Sequence, residues 1–465
     1  MMTTKDRSKD NADILHRRPS ITAPVELKTS LAITYLQDRS VPFISARSPT
    51  WPADAAAYNL RVPHVVDCGV AVGLKVSARG GGHSYTSLGL GGENDHLAVD
   101  LTRMDSISVD ATTHVATIGA GARLGDVARV LFSNGGRAIS HGSCPAVGLS
   151  GHILHGGAEA VLASGARVRC SKTENSDLFW ALRGAGSNFG IVTSYELATF
   201  AAPAVSIPFK VSLDWETEGR KVEGVTALVE FALSMPADLN MRLILHNSGD
   251  HGLDGVYYGD QSELSKILGP LLEETGGTLS MQPGTWIQGL EYYAERNSLI
   301  PSTNEHGNFY ATSLTLKDLR DEARTSFVRY WHNHAIPFNK GGWFVQLDIH
   351  GGINSAVSAV QNSDTAYAHR DKLFLLQFYH FGENDRPYQS GGIDFLKNWV
   401  KATTATLQEG DFGMYANYSD SQPDRGTAQR LYWGGNLERL GLIKKKFDPK
   451  ELFYYPQSVE PAQQG

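Results

Sequence analysis

Cysteine is scarce. Cys68, Cys144 and Cys170 are the only three in 465 residues, too few and too widely spaced for a disulfide framework or a zinc cluster. A chain this long buries cores large enough to need no such staples. No apolar run approaches the length of a membrane span. The first twenty residues, MMTTKDRSKDNADILHRRPS, lack the apolar stretch of a secretory leader, and residues 1–24 read as a disordered tail. Excess positive charge is missing too: 42 Lys and Arg face 49 Asp and Glu, for a net charge of −7, the opposite of a nucleic-acid footprint. No internal repeat occurs and no G-x-x-x-x-G-K-[ST], which excludes a P-loop. His152 and His155 stand three apart, but without the H-E-x-x-H glutamate or a third ligand, so no metal is expected.

Glycine, by contrast, is plentiful at 48 residues, and it gathers at junctions. The segment SARGGGHSYTSLGLGG, Ser77–Gly92, follows a strand-like LKVSAR. Three consecutive glycines sacrifice conformational entropy, so the position demands bare backbone. Either the loop is an anion-binding nest of successive N–H groups or it is a plain turn. HGSCPAVGLSGHILHGG, 141–157, is a second such loop; its Cys144 is either an accessible thiol or an inert buried filler. RGAGSNFG, 183–190, mimics a dinucleotide fingerprint, but an alternating strand follows it where that mechanism needs a helix N-terminus.

Along the first two hundred residues, strands and helices alternate. LAVDLTRMDSISVDATTHVATIGAG predicts strands joined by turns, ARLGDVARVLFSNG an amphipathic helix closing on Gly135, and GIVTSYELATF an alternating strand. A second region begins near Ala202. AVSIPFKVSLDW, MRLILHN, DGVYYGD, GGWFVQLDIHGG and KLFLLQFYHF read as strands, and KVEGVTALVEFALSM and QSELSKILGPLLEETGG as helices. The pattern is a sheet covered by helices. The stretch AQRLYWGGNLERLGLIKKKFD predicts one final helix. On residue types alone, Tyr415 and Tyr418 are compatible with ordinary packed tyrosines, Asp348 with a turn residue, and Gln346 and Gln377 with the solvent side of strands.

ARGGGHSY, GSCPAVGLSGHILHGG, TENSDLFWALRGAGSNFGIV, YANYSD and RLGLIKKKFDPKELFYYPQSV, in that order, resemble the berberine-bridge-enzyme-like flavoprotein oxidases of the vanillyl-alcohol-oxidase fold. RAISHGSCP, FVQLDIHGGINSAV and AYAHRDKLFLLQFY are most similar to the fungal glucooligosaccharide and chitooligosaccharide oxidases. The resemblance implies an α+β chain. A PCMH-type FAD-binding domain of two α/β subdomains would span 25–200, a substrate domain with an antiparallel sheet and covering helices 201–409, and a C-terminal segment completing the FAD domain and active site 410–465.

It also implies roles. Arg79, Gly80, Gly81, Gly82 and Ser84 would wrap the FAD pyrophosphate. His83 and Cys144 would bond covalently to the 8α-methyl and C6 of the flavin. Gly148, Gly151, His152, Asn188, Gly190, Ile191, Tyr415 and Asn417 would line it. Tyr418 would be the catalytic phenol and Asp348 its proton-accepting partner, with Tyr85, Phe344, Gln346 and Gln377 on the substrate. The implied reaction is oxidation of a carbohydrate C1 hydroxyl to a lactone by hydride transfer to flavin N5, with oxygen reduced to hydrogen peroxide. A monomer is implied, with no nucleic-acid or membrane partner, and secretion, although no leader stands in this chain. The sequon Asn417-Tyr-Ser419 falls inside the site and reads as coincidence.

Two departures from the family pattern stand out. A proline-bearing strand expected near 63–64 is absent, and so are a glycine-rich loop and strand expected near 157–158. Losing a strand would leave ladder partners unpaired and apolar surface exposed. Two other readings therefore stand beside the sugar oxidase: an FAD-linked oxidoreductase of secondary metabolism, and a truncated or inactive relative.

Overall fold

The computed structural model describes residues 74–463 except 94–95, 153–156, 296–297, 303–305 and 390, with a few positions between 30 and 37. The N-terminal tail, the first departure and Cys68 lie outside the described residues.

β1 (Lys75–Arg79) runs parallel to β2 (His96–Asp100), and the RGGGHS loop leaves the end of β1. β3 (Ile107–Val109), β4 (Val115–Gly119), β6 (Gly157–Val161), β7 (Arg167–Cys170) and β8 (Ile191–Ala198) form an antiparallel sheet in the order β3-β4-β8-β6-β7. β5 (Arg137–Ala138) pairs with β9 (Phe200–Ala201). The helix Leu124–Ser133 stops where the sequence predicts, because Gly135 and Gly136 take φ of +81° and +64°, which side chains resist.

The second departure does not leave an open edge at β6. Ala158 pairs with Cys170 of β7 on one side and with Tyr195 of β8 on the other. The segment after Gly157 is thus an interior strand, with both ladders satisfied and a register shift between Glu159 and Ala160.

The larger sheet is antiparallel throughout. It comprises β10 (Ile207–Ser212), β11 (Leu239–His246), β12 (His251–Tyr257), β13 (Thr278–Met281), β14 (Phe309–Leu316), β15 (Gly342–Ile349), β16 (Phe374–Phe381) and β17 (Phe412–Gly413), ordered β13-β10-β12-β11-β15-β16-β14-β17. β15 alternates as its sequence predicts. Trp343, Val345 and Leu347 are 0%, 0% and 1% exposed and pack against the helices Glu218–Leu233, Asp321–Tyr330 and Gly391–Thr404. Each such buried side chain contributes about 1.5–3 kcal/mol. Strand alternation sends Phe344, Gln346 and Asp348 to the opposite face, away from the helices.

A separate core joins Leu101–Leu197 to Met414, Ala428, Tyr432, Trp433, Leu440, Ile443 and Val459, so the tail packs back onto the first region. The final helix is two, Arg425–Trp433 and Leu437–Phe447, because Gly434 turns at φ +46° between them. Lys444, wholly buried, docks the tail: its ammonium donates to Asp448 Oδ2 at 2.7 Å, to Asn188 O at 2.6 Å and to Phe453 O at 2.7 Å.

Candidate active site

The two glycine loops meet backbone to backbone. A Cβ added to Gly81 would fall 2.1 Å from the Gly148 nitrogen, and one added to Gly148 would fall 2.2 Å from the Gly81 nitrogen. Only glycine permits that approach. A Cβ on Gly80 would lie 3.2 Å from Ala120 O, and one on Gly82, whose φ is +75°, would lie 2.9 Å from Arg79 Nε. The junction therefore presents bare backbone beside the Arg79 side chain. His83 sits next to it, half-buried; burial, then Arg123, His306 and Arg79, pull its imidazole down to about 4. At neutral pH it is an uncharged nitrogen base. Cys144, at the start of the second loop, is exposed. His152 lays its ring on Gly142, where a Cβ would be 3.1 Å from His152 Cε1.

Opposite the loops, cross-strand register assembles the polar face. Ser313, Gln377 and Gln346 are direct neighbours across β14, β16 and β15. Asp348, Arg242 and Asp254 form a second row across β15, β11 and β12. Directly opposed residues share a face, so both rows point the same way. Arg242 grips Asp254 with two bonds, 2.6 and 3.0 Å, and donates to Gln346 Oε1 at 3.0 Å. Guanidinium only donates, so the Gln346 carbonyl must face it. The Gln346 amide nitrogen then faces Asp348 and reaches both carboxylate oxygens, at 3.0 and 2.9 Å. Burial raises Asp348 to about 6 against the opposing pull of Arg242 and Gln346. Asp348 is therefore ionised at neutral pH and ready to take up a proton.

Tyr418 hangs between these halves on a short turn, Ala416–Tyr418. Ser313 Oγ accepts from the Tyr415 N–H at 2.9 Å and anchors the turn to β14. Tyr85 stacks on Tyr418 with centroids 5.6 Å apart, and the Gln377 amide donates to the Tyr85 hydroxyl at 2.5 Å. Burial pushes the Tyr418 hydroxyl well above 10, and the charges of Asp348, Tyr415 and Cys144 push it further. The phenol thus stays protonated until a partner takes its proton. Tyr415 meets Tyr418 edge-on at 5.2 Å, and Asn417 donates to the Tyr415 hydroxyl at 2.8 Å. Beyond Tyr85, Phe309, Tyr379 and Phe344 continue an aromatic row, with Phe344 stacked on Tyr379 at 4.8 Å.

Asn188 departs from its expected place. Its side chain is 0% exposed, donates to Ala185 O and accepts from the Val459 N–H, so it serves the tail's docking rather than a ligand surface. Gly190 closes on Val161 O, 2.9 Å from where its Cβ would stand, at the start of β8 beside Ile191. Gly151 is exposed. Arg242 and Asp254 belong to the site although the sequence did not single them out. A charged residue alternating with apolar ones in MRLILHN was the only local signal. Among the described residues no cluster of His, Cys, Asp and Glu is placed to hold a metal ion, and no helix is long and apolar enough to cross a membrane.

Residues 61–171 match the family described as FAD binding domain, and residues 414–460 the family described as Berberine and berberine like. The chain is 41% identical to a carbohydrate oxidase of Microdochium nivale, over 92% of this chain and 94% of that one. It is 41% identical to a xylooligosaccharide oxidase of Thermothelomyces thermophilus, again over 92% and 94%. It also superimposes on the solved glucooligosaccharide oxidase of Acremonium strictum, which carries a 6-S-cysteinyl, 8α-N1-histidyl FAD. That match has a TM-score of 0.88 at 39% identity and covers 94% of this chain and 100% of that one. The residues of the two loops fit such a group: a side-chain-free junction suited to a pyrophosphate, cations of Arg79 and Arg123 around it, a neutral His83 and an exposed Cys144.

Proposed function

The chain belongs to the berberine-like FAD-linked oxidases, and from that membership we propose that it oxidises the C1 hydroxyl of an oligosaccharide to a lactone and reduces oxygen to hydrogen peroxide. One observation carries the reading. Tyr418 stacks on Tyr85 of the loop that carries His83, and the Tyr85 hydroxyl accepts from Gln377 of β16, the strand paired with the one that carries Asp348.

Bound FAD supplies the hydride acceptor. His83 and Cys144 would hold it covalently, and Gly80–Gly82 with Gly148 would seat its pyrophosphate. The protein's own work is proton handling and orientation. Tyr418 takes the proton of the C1 hydroxyl as it yields its own to Asp348. Gln346, itself fixed by Arg242, keeps both Asp348 oxygens turned inward. Gln377 and Tyr85 offer hydrogen-bonding groups beside the phenol, and Phe344 with Tyr379 offers a flat surface on which a sugar ring stacks. Glutamines on these strands favour a hydroxyl-rich substrate over an aromatic one, and the intact ladders of β6 favour a folded enzyme over an inactive remnant.

The test is peroxide release with gluco-, xylo- and chito-oligosaccharides. Peroxide with at least one of them, and a lactone or aldonic acid as product, is expected. No peroxide with any of the three overturns the sugar-oxidase reading.

A further inference from the structure

The guanidinium of Arg123 ties the two glycine loops together. Its Nη1 donates to Gly81 O at 2.7 Å and to Ala146 O at 2.5 Å, one proton to each loop. Arg123 also forms an isolated antiparallel bridge with Gly148. The next two residues open the helix Leu124–Ser133. Their N–H groups, orphaned at a helix start, donate to the second loop: Leu124 N to Val147 O at 2.9 Å and Gly125 N to Pro145 O at 3.0 Å. The Leu149 N–H returns to Ala122 O at 2.9 Å. Backbone bonds on both sides thus lock residues 145–149 to the helix start. The Arg123 side chain reaches across from that assembly to the RGGGHS loop.

We propose that Arg123 is a positioning residue for cofactor attachment: it holds the loop of His83 and the loop of Cys144 at one fixed spacing and keeps a positive charge beside the His83 imidazole. This rests on the covalent-FAD reading above. The spacing matters because one rigid flavin ring must reach both a histidine and a cysteine. The charge matters because a protonated imidazole has no lone pair to bond with. After burial, Arg123 leads the groups that hold His83 neutral, with His306 and Arg79 behind it. Attachment through His83 replaces one N–H and one methyl C–H by one N–C bond. The two electrons released enter the flavin and pass on to oxygen, and the two protons released balance those that oxygen takes up to become hydrogen peroxide.

The experiment compares wild type, Arg123→Gln and Arg123→Lys. Three quantities are read: flavin remaining with acid-precipitated protein per folded chain, the pH dependence of acid-stable loading when FAD is added, and, with Arg123 varied in a His83→Ala/Cys144→Ala background where no link can form, the FAD dissociation constant. Arg123→Gln is expected to bind FAD roughly tenfold or more weakly, as the loss of two charge-assisted bonds implies. Its loading is expected to move to higher pH by about one unit, the direction in which removing a nearby cation moves an imidazole. Arg123→Lys keeps the charge and is expected to retain the wild-type pH dependence while binding FAD more weakly.

A variant that melts earlier but binds and loads FAD like wild type at every pH overturns the proposal, since Arg123 would then be only a fold staple. If Arg123→Gln does not fold, Arg123→Lys carries the test, and wild-type affinity there overturns it. Wild-type protein that releases all its flavin to acid overturns the covalent reading instead. The clamp is then judged by the dissociation constant alone, and an unchanged value in Arg123→Gln removes it.

Discussion

The amide of Gln377, on β16, donates to the hydroxyl of Tyr85, on the loop that leaves β1, at 2.5 Å. This one bond joins the polar face of the larger sheet to the glycine loop across 292 positions of sequence. Tyr85 in turn stacks on Tyr418. The sheet therefore sets the position of the phenol through a side chain of the glycine loop, and Thr86 reinforces the link by bonding Ser419 Oγ at 2.9 Å.

Gln377→Leu removes that donor while keeping the volume. The Tyr85 hydroxyl loses a buried partner, which costs about 1–3 kcal/mol. The expected result is a raised KM for oligosaccharide with unchanged flavin content, measured by steady-state peroxide assay and flavin absorbance.

Tyr418→Phe removes the phenolic hydroxyl proposed to carry the proton and nothing else of its size. A drop in kcat of about 10²–10⁴-fold is expected, the range for a positioned acid–base group. The flavin spectrum should match wild type, since the ring still fills its site.

Asp348 carries a pH signature of definite sign. With its acid range raised to about 6, kcat/KM is expected to rise with pH through about 6 as the carboxylate becomes able to accept a proton. Stability runs the other way. Between the ordinary value of 3.8 and about 6, the folded protein binds a proton that the unfolded chain does not, so stability falls as pH rises across that window. Asp348→Asn should therefore gain roughly 1–3 kcal/mol at pH 7.5 and nothing at pH 3.5. Denaturant melts at the two pH values check this.

Arg242→Ala leaves Asp254, whose side chain is 9% exposed, as a buried charge without its partner. Breaking such a pair costs about 3–5 kcal/mol. It also frees the Gln346 carbonyl, so kcat should fall along with the melting temperature. Arg242→Lys is expected to rescue part of the stability but less of kcat, because a point donor cannot span Asp254 and Gln346 at once.

His83→Ala and Cys144→Ala test the two attachments separately. Each single variant should keep acid-stable flavin through the other link, and the double variant should release it all. Flavin fluorescence in the acid supernatant reports the difference. Release from either single variant would show that only one residue attaches.

The fold was legible where a local period carried it. GGWFVQLDIHGG reads as a strand and is one; it runs on through Asp348, which residue type alone left open as a turn, and in it Trp343, Val345 and Leu347 are buried while Phe344, Gln346 and Asp348 alternate with them. The final helix was read as one because its apolar spacing runs through Gly434 and Gly435; the turn at Gly434 breaks it. The consequence expected of the second departure also failed at β6. Which strand pairs with which is a long-range choice, and β7 and β8 close on β6 from both sides.

The sequence by itself determined the chemistry available: glycines where backbone must approach backbone, a histidine and a cysteine beside them, a phenol, a carboxylate and two strand glutamines. Those choices are local and survive any register. Only the tertiary structure decided that Arg242 locks Gln346 onto Asp348 and that Arg123 bridges Gly81 to Ala146. Both ties depend on cross-strand register and loop contact between distant segments. A hydrogen bond specifies only which atoms must meet, and packing alone brings them within reach.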